Sequence, residues 1–168
     1  VKRGGSGRRE LIELPEKLVL DTSVLVEYVV ANSPYRPIIE DLFHRSRDHR
    51  VTLYVNTVSL AETYYVVSRI YRATGLDVEE ANEEALKYIL FVSRRVEVVK
   101  LDIETAILAS EYKKRLRIAL PDCIVIATAT RTNSHPLFKS VEREMKPLIK
   151  ELRKLKTIFL EEVLEQNL

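Results

Sequence analysis

A chain of 168 residues with 46% hydrophobic content is about one domain long and carries enough apolar material for a sizeable core. Its 27 Lys plus Arg against 25 Asp plus Glu leave a net charge of +2, so overall charge selects no anionic partner and such a preference has to come from local patches. One cysteine excludes an intrachain disulfide, three dispersed histidines (His44, His49, His135) match no zinc spacing, and the lack of a signal-like or membrane-length apolar run predicts a soluble, cytoplasmic protein without a membrane partner.

Residues 1–16 open with a basic, glycine-rich stretch (VKRGGSGRRE) and are expected to form a flexible segment ahead of a single domain over residues 17–168. Residues 18–20 (LVL) are short, β-prone and bounded by charge, as in a strand buried on both faces. Asp21 then sits where the strand ends, followed by Thr22, Ser23 and a helix marked by Val24, Leu25, Tyr28 and Val29. Helix capping alone explains such a triplet. An acid at the carboxyl edge of an α/β sheet is also a functional candidate. Pro34 ends this helix, and Pro37 opens another whose apolar stripe is Ile38, Ile39, Leu42 and Phe43.

Residues 51–55 (VTLYV) read as a second buried strand, leading through a turn to a helix over 60–73 with Glu62 in its first turn. Ser59 and Glu62 have capping-box spacing, yet Glu62 also repeats the placement of Asp21 just past a strand. Gly75 closes that helix. Residues 78–92 predict a helix with Ala81, Ala85, Ile89 and Val92 inward and Glu79, Glu80, Glu83 and Glu84 in solvent. A third strand over 96–101 (VEVVKL) precedes a helix over 103–115 capped by Asp102.

Pro121 and Asp122 then introduce an apolar helix over 123–130, central and buried, with Cys123 as a core residue. A weak strand at Leu137 and Phe138 follows a turn over 132–136. Pro147 interrupts the charged segment 139–156, which predicts two short helices or one kinked helix. Residues 157–160 (TIFL) form a last strand and 161–168 an acidic tail.

Alternating strands and helices predict a parallel sheet covered by helices on both faces. Asp21, Glu62 and Asp122 all fall at its carboxyl edge. If they converge, two carboxylates ~4 Å apart repel by about 4 kcal/mol in a partly buried site. Three would cost about as much as the whole stability of a typical domain, ~5–15 kcal/mol. Retained protons or a hard divalent cation must neutralise them, and Mg²⁺ and Mn²⁺ suit carboxylate and water ligands. Such an ion holds a phosphate, activates a water and stabilises the departing oxygen.

The segments LVLDTSVLVEYV, VSLAETYYVV and LPDCIVIATA together resemble the three acidic motifs of the PIN-domain family, in the family's order, over residues 17–160. The resemblance implies a three-layer α/β/α sandwich with a mainly parallel central sheet, and a Mg²⁺- or Mn²⁺-dependent endoribonuclease that cleaves RNA phosphodiester bonds. It also implies the toxin of a VapBC-type toxin–antitoxin pair, with an antitoxin protein as partner, and a homodimer. Asp21, Glu62 and Asp122 fall on the family's metal-binding acids, and Ser23 on the hydroxyl position after the first acid. The chain departs from the pattern at the fourth acid: where many members have Thr-x-Asp, it reads PLFKSVEREM, so Glu142 is the first substitute and Glu144 the second.

Arg8, Arg9, Lys17, Arg69, Arg72 or the basic segment from Lys139 supply candidate phosphate contacts, none assigned individually. Tyr64, Tyr65 and Tyr71 offer more aromatic surface than one core needs, a candidate dimer face. The competing readings are a catalytically degenerate RNA-binding or scaffold protein of the same fold and a housekeeping RNA-processing nuclease. A phosphotransferase of the haloacid dehalogenase type would need an acid where Ser23 stands.

Overall fold

A computed structural model describes residues 14–166. Five strands, β1 (Lys17–Leu20), β2 (Thr52–Asn56), β3 (Glu97–Val99), β4 (His135–Phe138) and β5 (Ile158–Phe159), form one sheet in the order β3-β2-β1-β4-β5. Every neighbouring pair is parallel, with Leu18 opposite Leu53 on one side and His135 on the other. The helices are α1 (Thr22–Leu25), α2 (Arg36–Arg47), α3 (Thr57–Ala73), α4 (Val78–Ser93), α5 (Ile103–Leu116), α6 (Leu120–Arg131), α7 (Ile149–Lys154) and α8 (Leu160–Gln166). Layered on both faces of the sheet, they give the expected α/β/α sandwich, with a sheet that is wholly rather than mainly parallel. None of the described helices is long and apolar enough to cross a membrane.

The alternation of side chains along β1 divides the core in two. Leu18 and Leu20 pack on one face with Leu53, Val55 and Leu137, beneath α1, α2 and α4. Val19 points to the other face and joins Phe138, Phe159 and the apolar side of α6. Leu18, Val19 and Leu20 are all fully buried, as a central parallel strand requires, while Lys17 at its start is exposed. Leu14 is buried as well, and the Glu16 carbonyl accepts from the Thr52 N–H at 2.7 Å, so the chain is tied to the sheet before β1 begins. The glycine-rich residues of the start lie outside the described ones.

Several local expectations change. The first helix is a single turn, α1, continued by a 3₁₀ turn over Val26–Tyr28. Asn56, not Ser59, caps α3, its Oδ1 accepting from the Ser59 N–H at 2.8 Å. Ser59 therefore lies inside the helix, and the Ser59/Glu62 capping box does not form. The capping box that does form joins Asp77 and Glu80 at the start of α4, so Glu80 is part of a cap as well as of a solvated face. Strand β4 begins at His135 and includes Pro136 opposite Val19. Proline has no ladder N–H, which favoured a turn there, but a strand this short accommodates one missing donor. The C-terminal segment read as a tail forms α8, with Leu160 and Val163 buried.

A ring cluster holds α4 to the first helical turn. Tyr28 stacks on Tyr88 and Phe91 at 5.7 and 5.3 Å, and Phe43 meets both Tyr28 and Phe91 edge-on. The Tyr88 hydroxyl donates to the Leu25 carbonyl at 2.6 Å, satisfying an acceptor of the short α1. Tyr88→Phe removes one of the donors to that carbonyl, which as N-cap of the 3₁₀ turn also takes the turn's first bond, and is expected to destabilise the fold by about 0.5–1.5 kcal/mol. Urea unfolding measures this, and an unchanged midpoint would show that the bond contributes nothing.

Candidate functional site

The strand order reverses direction around β1: the chain builds outward to β2 and β3 on one side, then returns to place β4 and β5 on the other. The carboxyl ends of β1 and β4 thus flank a topological switch point, where open α/β sheets bind ligands. The Asp21 N–H donates to the Leu137 carbonyl at 3.0 Å and closes the base of this crevice.

Asp21 leaves β1 as the N-cap of α1, its Oδ2 accepting from the Ser23 N–H at 2.8 Å. The cap and edge readings both apply to this one residue. Burial raises the Asp21 carboxyl above its ordinary range, hydrogen bonds from Ser23 and the Thr22 backbone oppose this, and the Glu62 charge adds to the rise.

Glu62 stands one turn into α3, exposed, with Oε2 3.2 Å from the Thr22 hydroxyl. That hydroxyl is also 3.2 Å from the Ser59 carbonyl, so Thr22 pins α1 against the first turn of α3. No sequence pattern marked Thr22 for this; its only signal was adjacency to Asp21.

Asp122 lies in the first turn of α6 and is 8% exposed. Its Oδ2 is buried without a hydrogen-bond partner, although buried carboxylate oxygens are normally satisfied. Burial pushes its carboxyl up to about 8, helped by the charges of Asp21, Glu142, Glu144 and Glu62 in that order. Each acid singled out in the sequence therefore acts on Asp122.

The tightest cluster nevertheless differs from the expected trio. Asp122, Glu142 and Glu144 each offer an oxygen within 4.8 Å of the others, whereas Asp21 and Glu62 stand outside that group. The segment after β4 makes this possible. Met145 is fully buried in the second core and anchors the far end of the segment. Near its start, the Val141 N–H donates to Glu161 Oε1 at 2.7 Å. Glu144 is held in place by the Ala119 N–H at 2.9 Å. The apolar positions Val141 and Met145 around two acids were the only sequence sign of this arrangement.

Ser23 is half-buried and its Oγ accepts from the Lys139 N–H at 3.1 Å, joining α1 to the end of β4. The Lys139 ammonium reaches buried Glu27 at 2.9 Å, and Glu27 also accepts from the Ser33 hydroxyl. Sequence reasoning missed this pair, because a lone glutamate in an apolar helix gave no sign of its partner more than a hundred positions away.

Residues 18–146 match the family model of the PIN domain. The chain belongs to this family. Known structures share the PIN fold at low identity. VapBC2 from Rickettsia felis, bound to a promoter DNA fragment, is 19% identical with a TM-score of 0.59 over 85% of this chain and 98% of its own. PAE2754 from Pyrobaculum aerophilum is 13% identical, also with a TM-score of 0.59, over 90% and 94%. VapC20 from Mycobacterium tuberculosis, a sarcin-ricin loop cleaving toxin, is 15% identical with a TM-score of 0.54, over 71% and 86%. No curated protein sequence matches.

The donor set of this PIN domain is entirely oxygen, which fits a hard divalent cation. The partnerless Asp122 Oδ2 is an acceptor that such a cation would satisfy. The raised Asp122 value carries a sign for stability. In the ion-free protein the folded state holds its proton more tightly than the unfolded chain does, so this contribution is full below the unfolded value of about 4 and is lost as pH rises through about 8. The melting temperature in EDTA is therefore expected to fall between about pH 4 and 8, and to fall less in Asp122→Asn. Identical pH profiles for the two proteins would contradict this assignment.

Proposed function

We propose that this PIN domain is a metal-dependent endoribonuclease that cleaves RNA phosphodiester bonds, acting as the toxin of a VapBC-type toxin–antitoxin pair. The observation that carries the reading is the buried, partnerless carboxylate oxygen of Asp122, within 4.8 Å of oxygens of Glu142 and Glu144 at the switch point of the sheet. Membership of a nuclease family and likeness to VapBC structures support it.

In this reading Asp21, Glu62 and Asp122 hold Mg²⁺ or Mn²⁺, and Glu142 takes the place of the fourth acid with Glu144 beside it. Bound there, the ion supplies charge neutralisation for the phosphate and an activated water. Asp122 gives up its proton on binding, so affinity for the ion rises with pH. Thr22 steadies the Glu62 carboxylate, and Ser23 fixes Asp21 while its hydroxyl orients water or ligand.

The toxin role brings an antitoxin protein as partner. Several structural neighbours are toxin–antitoxin assemblies, among them a complex from Klebsiella pneumoniae. A homodimer is part of the same proposal, with exposed Tyr64 and Tyr65 on α3 as apolar surface for a protein contact.

Incubation of a mixed RNA pool with the protein in EDTA, Mg²⁺ or Mn²⁺ tests the reading. Cleavage is expected with metal alone, and Asp122→Asn should lower it by at least about 100-fold while the protein stays folded. Calorimetric titration with Mn²⁺ should show weaker binding in Asp122→Asn, Glu142→Gln and Glu144→Gln. Cleavage that persists in EDTA, or an unimpaired Asp122→Asn, would overturn the assignment.

A further inference from the structure

The acid cluster attracts a cation but repels the phosphates on either side of a cleaved bond, so a nuclease built here needs cations at its rim. Two segments border the cluster, residues 113–119 ahead of α6 and residues 139–145 after β4. They are joined by the hydrogen bond from the Ala119 N–H to Glu144. Most of their cations are engaged. Lys139 is paired with Glu27, Lys113 donates to the Ile118 carbonyl at 2.5 Å, and Lys114 is paired with Glu111. Arg115 lies over the Tyr112 ring.

Arg117 and Arg143 remain. Both are exposed, and neither guanidinium makes a hydrogen bond or ion pair among the described residues, although Arg143 stands between two glutamates. Arg117 is two residues from Ala119, and Arg143 adjoins Glu144.

The backbone fixes where Arg117 leaves its helix. Arg117 caps the C-terminus of α5 in the left-handed conformation, with φ 59° and ψ 18°. Glycine or asparagine is favoured at such a position, because a Cβ is crowded there. Gly75 fills the corresponding turn after α3, and the other left-handed residues are Asn32, His49, Asn133 and Lys156. The turn holds the Arg117 side chain at a fixed place beside Ala119, whose N–H holds Glu144.

We propose that Arg117 and Arg143 form a two-armed grip for the phosphates of single-stranded RNA flanking the acid cluster. The proposal rests on the nuclease reading. Guanidinium groups suit it, since they bind phosphate through paired hydrogen bonds and keep their charge at all working pH.

Fluorescence anisotropy with a labelled mixed-sequence 12-mer RNA tests the grip on the full chain in EDTA, where binding is read without cleavage. Arg117→Ala and Arg143→Ala should each weaken binding about 5–10-fold at low salt and reduce the slope of log affinity against log salt by about 0.7. Arg143→Lys should keep the slope. Arg94→Ala, ahead of β3 at the opposite edge of the sheet, should change nothing. Arg117→Gly separates grip from structure, because it should raise the melting temperature while binding falls as in Arg117→Ala.

RNA affinity equal to the unmodified chain in both alanine variants would overturn the grip while leaving the nuclease reading intact. An equal loss in Arg94→Ala would reduce the effect to net charge and also overturn it. An unmodified chain that neither binds nor cuts RNA would overturn both.

Discussion

The arrangement depends on carboxylates collected where water is scarce. Asp122 is buried with an oxygen that nothing in the chain satisfies, and four other acids press on it electrostatically. Like charges at short range in a partly dry site cost several kcal/mol, so a fold that keeps them together must brace each against its neighbours. The braces are visible: the α1 cap for Asp21, the Thr22 hydroxyl for Glu62, the Ala119 amide for Glu144. The resulting site carries an electrostatic demand that a retained proton meets and that a divalent cation would also meet.

The segment after β4 is the least regular part of the site and the most heavily pinned. Lys139 reaches back to Glu27, its N–H meets Ser23, and its carbonyl accepts from the Glu161 N–H at 2.9 Å. Met145 closes the segment in the core. In the Glu27–Lys139 ion pair the carboxylate is buried and the lysine half-exposed, so removing Lys139 leaves a buried charge without its partner. The pair's value is geometric, since it fixes the exit of β4 relative to α1 and thereby sets Glu142 and Glu144 opposite Asp122. Helix α8 belongs to the same arrangement, because Glu161 supplies both bonds that hold Val141 and Lys139.

Much of this was legible in the residues. The apolar runs LVL and VTLYV gave β1 and β2 because fully buried parallel strands need no polar alternation, and Pro121 with Asp122 marked the start of α6. Asp21, Glu62 and Asp122 could be placed on one sheet edge from element order alone. What escaped depended on contacts distant in sequence. Ser59 and Glu62 had the spacing of a capping box, but Asn56 is better placed to cap α3, and this frees Glu62 to meet Thr22. Glu144 looked like one charge in a solvated run until the Ala119 amide gave it a fixed position. Pro136 disguised half of β4, and the apolar residues of α8 were too few to announce a helix.

The pairing of Leu18 with His135 has a consequence for how the domain is made. Strand β1 pairs with β2 a few tens of residues on, yet its second neighbour, β4, begins at His135. Closing so long a loop carries an entropic cost before any contact across it rewards the chain, and non-local parallel pairing slows folding. An early half of β1, β2 and β3 with their helices can collapse around Leu18, Leu53 and Val55 while Asp21 and Glu62 still lack Asp122 and the glutamates beyond β4. The acidic centre therefore comes together only when that long loop closes, since Asp122 and the glutamates beyond β4 reach Asp21 and Glu62 through the pairing of β1 with β4.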